Sequence, residues 1–247
     1  MKPLYYDFHI HSCLSPCADN DMTPNNIAGT AVLAGIDVMA LTDHNTLKNC
    51  PAFFSAAKRN GIIPIAGAEV TTSEDIHVVC LFEALEAGME FDLFLDSKRI
   101  KIPNRADIFG EQLILDENDE VISTDGFLLS NATGISIDNI AKIVSSYNGV
   151  AYPAHVDRQS NSVTAVLGAF PDDPNFTCAE FHDKTKIDTL EALYPEIRTR
   201  KKIVSSDAHF LWDIRDKDNI INIDTDPSDP GEAVREIIKN LRTESCR

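Results

Sequence analysis

The sequence predicts an α/β fold in which short parallel strands alternate with helices and close, or nearly close, into a barrel. Three observations carry that expectation. Short apolar runs and amphipathic stretches alternate over most of the 247 residues, which is the pattern of successive βα units. The composition, 43% hydrophobic and 25% charged, is that of an ordinary folded chain without collagen-like or low-complexity bias. The histidines fall within or just beyond the apolar runs, where barrels of parallel strands gather their chemistry.

The elements follow in order. Residues 4–8 read as the first strand. Thr23-Pro24 opens a helix to about residue 34, with threonine suited to the N-cap and proline to the first turn, and Gly35 closes it. Residues 38–41 form a second strand, and a helix over about 51–60 ends at Gly61. Residues 62–66 and 76–82 are the third and fourth strands. The alternation then breaks: 85–100 is an amphipathic helix, and EQLILDENDEVIS at 111–123 reads as two strands about an acidic turn. Roughly 50 residues make a marginal core alone, so about 85–135 is expected to be an insertion on a single barrel domain spanning 1–247. Ser136 caps a helix to residue 147, 150–153 is the fifth strand, and 161–169 a short helix. Residues 176–181 and 202–205 complete seven strands, and 231–241 is a terminal helix.

Charge narrows the partners. With 22 Lys and Arg against 39 Asp and Glu, the net charge is −17, which repels polyphosphate backbones and anionic membranes at long range. Extended nucleic-acid binding and membrane contact are therefore not expected. Residues 1–7 lack the apolar core of a signal peptide and no apolar run reaches spanning length, so a cytoplasmic location is expected. Cys13, Cys17, Cys50, Cys80, Cys178 and Cys246 are too sparse and irregular for a disulfide scaffold, and Cys13 with Cys17 lacks the second pair that would complete a zinc site. They are read as reduced thiols.

The chemistry lies in the histidines. His9 and His11 form H-x-H, and residues two apart on a strand share a face. Taken singly, each candidate has a plain explanation: Asp43 in LTDHN suits a turn or helix cap, His77 in IHVVC a hydrogen-bonded core histidine, and Glu69 in PIAGAEV a surface carboxylate. Taken together with His44, His155, Asp207 and His209, they place imidazoles and carboxylates at the ends of successive strands. That donor mixture suits zinc, manganese or iron, and a shared carboxylate can bridge two ions. Competing signatures, G-x-S-x-G, H-E-x-x-H, G-x-x-x-x-G-K-[ST] and G-x-G-x-x-G, are missing from the sequence.

At these residues the sequence resembles the PHP (polymerase and histidinol phosphatase) family, and within it the stand-alone bacterial metal-dependent phosphoesterases. DFHIHS at 7–12, TDHN at 42–45, GAEV at 67–70, His77, PAHVDR at 153–158 and SDAH at 206–209 match its motifs in order, across nearly the whole chain outside the inserted segment. The resemblance implies a distorted (β/α)7 barrel with two or three divalent metals at its mouth. It assigns His9, His11, Glu69 and Asp207 to one metal, with Glu69 bridging to a second held by His77 and His155. It assigns His44, His209 and Asp19 to a third; Asp21 competes with Asp19 there, and spacing from Pro24 favours Asp19. Arg158 resembles the family's arginine at that position and would clamp a phosphate through its fork of donors. His182 in AEFHDK would protonate the leaving oxygen or contact substrate.

The activity so implied is metal-dependent hydrolysis of a small phosphorylated molecule, a nucleotide or short oligonucleotide end, by a hydroxide bridging two cations. Lys98, Arg99, Lys101 and Arg105 form a cationic cluster in the insertion and offer contact to a second phosphate. Two other readings stay open: a metal-dependent amidohydrolase acting on C–N bonds with the same donors, and a non-catalytic accessory module whose metals are structural.

Overall fold

The computed structural model describes residues 1–243; Cys246 lies outside them. β1 (Lys2–Asp7) leads to α1 (Pro24–Ala34), β2 (Val38–Leu41), α2 (Cys50–Arg59) and β3 (Ile63–Thr71). The limits of α1 have local causes. The Thr23 side chain accepts the Asn26 N–H, Pro24 occupies the first turn, and Gly35 at φ 73° takes the left-handed conformation that ends it.

β4 (His77–Phe82) follows β3 after residues 72–76, too short a link for the crossover that a parallel neighbour requires. The chain therefore turns back, and β4 pairs antiparallel with β3, Glu69 opposite Val79 and Thr71 opposite His77. Next come α3 (Leu85–Lys98), α4 (Ala106–Phe109), a hairpin of β5 (Leu113–Leu115) and β6 (Val121–Thr124), α5 (Ile137–Ser146) and β7 (Gly149–Pro153). α6 (Val163–Leu167), β8 (Cys178–Phe181), α7 (Ile187–Leu193), β9 (Lys201–Val204), β10 (Ile220–Ile223) and α8 (Pro230–Arg242) complete the described chain.

Six strands pair in the order β10-β1-β2-β3-β4-β7, and β8 and β9 form a separate parallel pair. Backbone hydrogen bonds beyond the strand ends join the two sheets into a curled wall. Val156 N–H reaches the Glu180 carbonyl at 2.8 Å, and Asp207 N–H reaches the His9 carbonyl at 2.9 Å. This is the expected barrel-type α/β architecture, with two corrections to the wall. β4 runs antiparallel to both β3 and β7, and β10, an antiparallel edge strand on β1, adds a strand that the apolar pattern does not announce. β10 is only four residues, Ile220-Ile221-Asn222-Ile223, largely solvent-facing and set between polar, acidic stretches, so its short apolar run does not stand out as a strand.

Alternation on the strands sorts the core and builds the site floor. Ile63, Ile65, Val79 and Leu81 pack inside the curl with Tyr6, Phe8 and Tyr152, and α8 covers that cluster with Val234, Ile237 and Ile238. Ala66, Ala68, Val78, Cys80 and Phe82 face the other way, onto Phe53, Phe91 and Ile140 of the surrounding helices. With a period of two, the inward row of β3 continues through Gly67 to Glu69, and that of β4 begins at His77. Gly67 allows this close approach: a Cβ there would stand 2.8 Å from Leu81 Cδ2 and 2.9 Å from Thr42 Cγ2.

Within 85–135, α3 buries Phe91 and Leu95 in the outer core. The remainder lies over the loops that follow β1 and β2: Leu113 N–H meets the Cys13 carbonyl at 3.0 Å, and Asn45 Nδ2 donates to the Leu129 carbonyl at 2.6 Å. The cationic cluster of this segment is neutralised by its own carboxylates. Arg99 is buried against Asp125 in a two-bond pairing at 2.9 Å each, Lys101 pairs with Asp96 at 2.6 Å and Arg105 with Asp107 at 2.7 Å. Lys98 lies over the Phe94 ring. Among the described residues, no helix is long and apolar enough to cross a membrane.

Candidate metal centre

Eight of the nine expected ligands converge at one mouth of the curled sheet. His9 Nε2 lies 3.1 Å from His11 Nε2 and 3.4 Å from both Glu69 Oε1 and Asp207 Oδ1. Glu69 Oε1 also meets His77 Nδ1 at 2.8 Å and His155 Nε2 at 3.0 Å, while Oε2 stands 3.0 Å from His44 Nδ1. Three sets of donor atoms each lie within 4.8 Å of one another: His9, His11, Glu69 and Asp207; His44, Glu69 and His77; and His11, His44 and His209. The first is the set that the resemblance assigns to one metal. The second places His44 where the resemblance has His155, although His155 touches the same Glu69 oxygen as His77.

The donors fit divalent cations chemically. Facing imidazole nitrogens backed by two buried carboxylates form the mixed N and O environment of zinc, manganese or iron. His44 Nδ1 and Asp207 Oδ1 are buried without a well-formed hydrogen bond, a condition that costs about 1–3 kcal/mol per group and that a cation would relieve. Burial pushes the Glu69 and Asp207 carboxyls up, but the charge of the surrounding histidines outweighs it and holds both well below the usual carboxylate range. Both are thus ready to act as anionic donors. His155 at φ 32° and Asp207 at φ 52° adopt left-handed backbone that such residues seldom take, and strain of this kind is retained where a side chain must be aimed.

A surrounding layer of hydrogen bonds sets the direction of the rings. Glu180 Oε1 lies 2.8 Å from His9 Nδ1, which leaves Nε2 facing the cluster. His11 Nδ1 meets Ser15 Oγ at 2.9 Å, and that hydroxyl donates to Asp43 Oδ1 at 2.7 Å. Asp43 also accepts the Ser12 N–H and hydroxyl, so it ties the loop after β1 to the end of β2 rather than capping a helix. Glu180 and Ser15 were not among the expected site residues. The signal for Glu180 is its position as a single carboxylate in the apolar strand CAEF, where it is 1% exposed.

Asp19 is the expected ligand that stays outside. Its carboxylate accepts the Asp21 N–H at 2.8 Å and belongs to none of the donor sets found among the described residues. Cys17 belongs to none of those sets either, but it lines the same cavity as His209. Burial pushes the Cys17 thiol up, but the charge of His44 and hydrogen bonds with His209 and His44 lower it to about 5. Cys13, by contrast, is buried with its sulfur toward the Leu113 carbonyl, so the two cysteines do not act together. The five described cysteines are free.

Beyond the donors lies a cationic wall. Arg158 Nη1 pairs with Asp207 Oδ2 at 2.8 Å, and its Nη2 is 3.4 Å from His182 Nδ1. Arg215, another residue outside the expected set, donates to the His182 carbonyl at 2.7 Å and lies 3.2 Å from both ring nitrogens. Burial, then the charges of Arg158 and Arg215, lower the His182 pKa. Arg158, His182, Arg215, Asp207 and Cys17 line one cavity of about 460 Å³, and Arg158 also lines a space of about 80 Å³ directly over the histidines.

A curled α/β sheet with imidazoles and carboxylates at its mouth defines the class of metal-binding barrel proteins. The PHP domain matches residues 7–167, more than half of the chain, and the chain belongs to that family. The 5'-3' exoribonuclease of Haemophilus influenzae is 34% identical over 90 residues, 35% of this chain and 29% of that protein. Among solved structures, the lesion-specific endonuclease PfuEndoQ of Pyrococcus furiosus superposes with a TM-score of 0.67 at 16% identity, over 99% of this chain and 57% of that one. An amidohydrolase from Chromobacterium violaceum, with bound sulfate and no metal, has a TM-score of 0.58 at 18% identity, covering 89% of this chain and 92% of that one. At such identities the superpositions establish a shared fold. The chain spans under a third of the exoribonuclease and just over half of the endonuclease.

Proposed function

We propose that this chain is a metal-dependent phosphoesterase acting on a small phosphorylated substrate, a nucleotide or the end of a short oligonucleotide. The observation that carries the reading is the union of donor cluster and cationic wall: Arg158 bonds Asp207 at 2.8 Å and shares a cavity with Arg215 and His182. A neutral amide or carbonyl group offers two guanidiniums no charge to neutralise, whereas the anionic oxygens of a phosphoryl group match their forked donors.

His9, His11, Glu69 and Asp207 would hold one ion and Glu69, His77 and His155 a second, with His44 close enough to share it. His44 and His209 would hold a third, completed by Cys17 in preference to Asp19. Zinc, manganese and iron suit this set. Divalent ions bound there supply Lewis acidity toward phosphoryl oxygens and lower the pKa of water. Arg158 and Arg215 orient the phosphate, and His182 offers them an acceptor and contacts the substrate. Glu180 and Ser15 keep the His9 and His11 Nε2 atoms turned to the centre. Residues of about 85–135 are read as an insertion on one barrel domain that overhangs the mouth, and the free thiols suit a reducing compartment such as the cytoplasm.

The similarity to an exoribonuclease and a lesion-specific endonuclease weighs against the expectation, drawn from net charge, that extended nucleic-acid binding is absent. Oligonucleotides therefore belong in the test. Purified protein supplied with manganese, zinc or iron is assayed for phosphate release from monoesters, diesters, nucleoside bisphosphates and phosphorylated oligonucleotides, and for amine release from amides. Phosphate release from at least one ester class is expected; amine release alone would replace this reading with the amidohydrolase one.

A further inference from the structure

Two aromatic residues follow the SDAH motif and play no part in the donor cluster. Phe210 and Trp212 stack face to face, with centroids 4.8 Å apart and planes within 13°. Trp212 is the chain's single tryptophan, and it is 77% exposed. Folding leaves uncovered the side chain with most apolar surface to bury. Phe210 lines the cavity of about 460 Å³ that Arg158, His182 and Arg215 also line, so the stacked pair stands at the rim of the cationic wall. Asp213, one residue beyond Trp212, lines that cavity too and brings a hydrogen-bond acceptor to the same edge.

We propose that Phe210 and Trp212 form a nucleobase platform, and that the substrate is a nucleoside phosphate or the terminal nucleotide of a nucleic acid. Its phosphate lies against Arg158 and Arg215, and its base continues the stack on the free face of Trp212. The inference rests on the phosphoesterase reading and adds to it the residues that hold the base. Stacking needs no charge, so it selects a base-bearing phosphate in a chain whose net charge of −17 repels a long polyanion. Each base has a π face, so the platform recognises the class rather than one base. A sugar phosphate would satisfy the arginines and leave Trp212 bare.

The single tryptophan makes the test direct. Full-length protein in chelator is titrated with adenosine 5'-monophosphate, adenosine 3',5'-bisphosphate, ribose 5-phosphate and inorganic phosphate while tryptophan emission is followed. Saturable quenching by the two nucleotides, weakened in Phe210→Ala and not reproduced by ribose 5-phosphate or phosphate, is expected. In metal-loaded protein, Trp212→Ala should lower kcat/KM for the preferred nucleotide about tenfold more than for ribose 5-phosphate, the loss of one base stack, and Trp212→Tyr should restore most of it. Equal quenching by ribose 5-phosphate, no quenching by either nucleotide, or equal losses on both substrates would overturn the platform. Nucleotide quenching without hydrolysis of any ester would instead uphold the platform and overturn the phosphoesterase reading.

Discussion

Arg158 is anchored on Asp207: its Nη1 lies 2.8 Å from Asp207 Oδ2, and its side chain, which lines the cavity, is still more than one-third exposed. A candidate phosphate clamp is thus held by a candidate metal ligand, and one movement would be felt by both. Removing the clamp tests this. Arg158→Ala should lower kcat/KM on a phosphate ester by about 10- to 100-fold, the roughly 1.5–3 kcal/mol of a charge-assisted hydrogen bond. Arg158→Lys should recover only part, since the fork is lost. Unchanged steady-state kinetics in Arg158→Ala would remove the residue from substrate binding.

Glu69 and His182 should separate metal binding from turnover. Glu69 meets His9, His11, His44, His77 and His155 within 3.4 Å, so Glu69→Gln keeps the shape and withdraws the charge that all of them face. Metal content measured by elemental analysis should fall by at least one ion per chain. His182→Ala should retain the wild-type metal content and lose turnover. A fully metallated, fully active Glu69→Gln protein would contradict the assignment.

Cys17 should be the reactive thiol of metal-free protein. Its pKa is lowered to about 5 from an ordinary 9.0, whereas burial raises those of Cys13, Cys50, Cys80 and Cys178. A folded value below the unfolded one means that the thiolate's stabilisation is present above the unfolded pKa and lost as pH falls through about 5. Alkylation by iodoacetamide should therefore stay near its plateau at neutral pH and decline only on approach to that value, and loading with zinc should suppress it. Cys17→Ala should reduce metal content more than Asp19→Ala. The reverse order would return the third-site role to Asp19.

The buried pair Arg99 and Asp125, both within residues 85–135, should matter for folding. Burial pushes the Asp125 carboxyl up, but hydrogen bonds from Arg99 and Lys48 outweigh that and hold it below the usual range. Its stabilisation is therefore present above the ordinary carboxylate pKa and lost as pH falls below it. Asp125→Ala leaves Arg99 buried without its main partner and should cost about 3 kcal/mol in chemical denaturation at neutral pH. The difference from wild type should narrow in acid. An equal midpoint for the two proteins at neutral pH would show that solvent already screens the pair.

What could be read from sequence was what local chemistry determines. α1 is delimited by Thr23, Pro24 and Gly35, each acting within one turn, and the structure reproduces its span. The sixteen residues of HIHSCLSPCADNDMTP are different: whether Asp19 or Cys17 faces His44 depends on a loop tied down by Ser15, Asp43 and Leu113, contacts between distant segments. β3 likewise extends to Thr71 because β4 pairs with it, so Glu69 and His77 belong to one antiparallel ladder instead of to two parallel strand ends. Their types identified them as ligand candidates, and only the pairing shows how they meet. Arg99, Lys101 and Arg105 look like a cationic surface in one dimension; in three, Asp125, Asp96 and Asp107 stand beside them.

The central claim is that the histidine and carboxylate cluster holds metal that phosphate-ester hydrolysis requires. It is tested most directly by following phosphate release from the preferred ester as protein is stripped with chelator and then titrated with manganese, zinc or iron, with bound metal counted at each step. The account predicts that release vanishes on stripping and returns in proportion to the ions rebound. Release that continues undiminished in protein shown to contain no metal would contradict it.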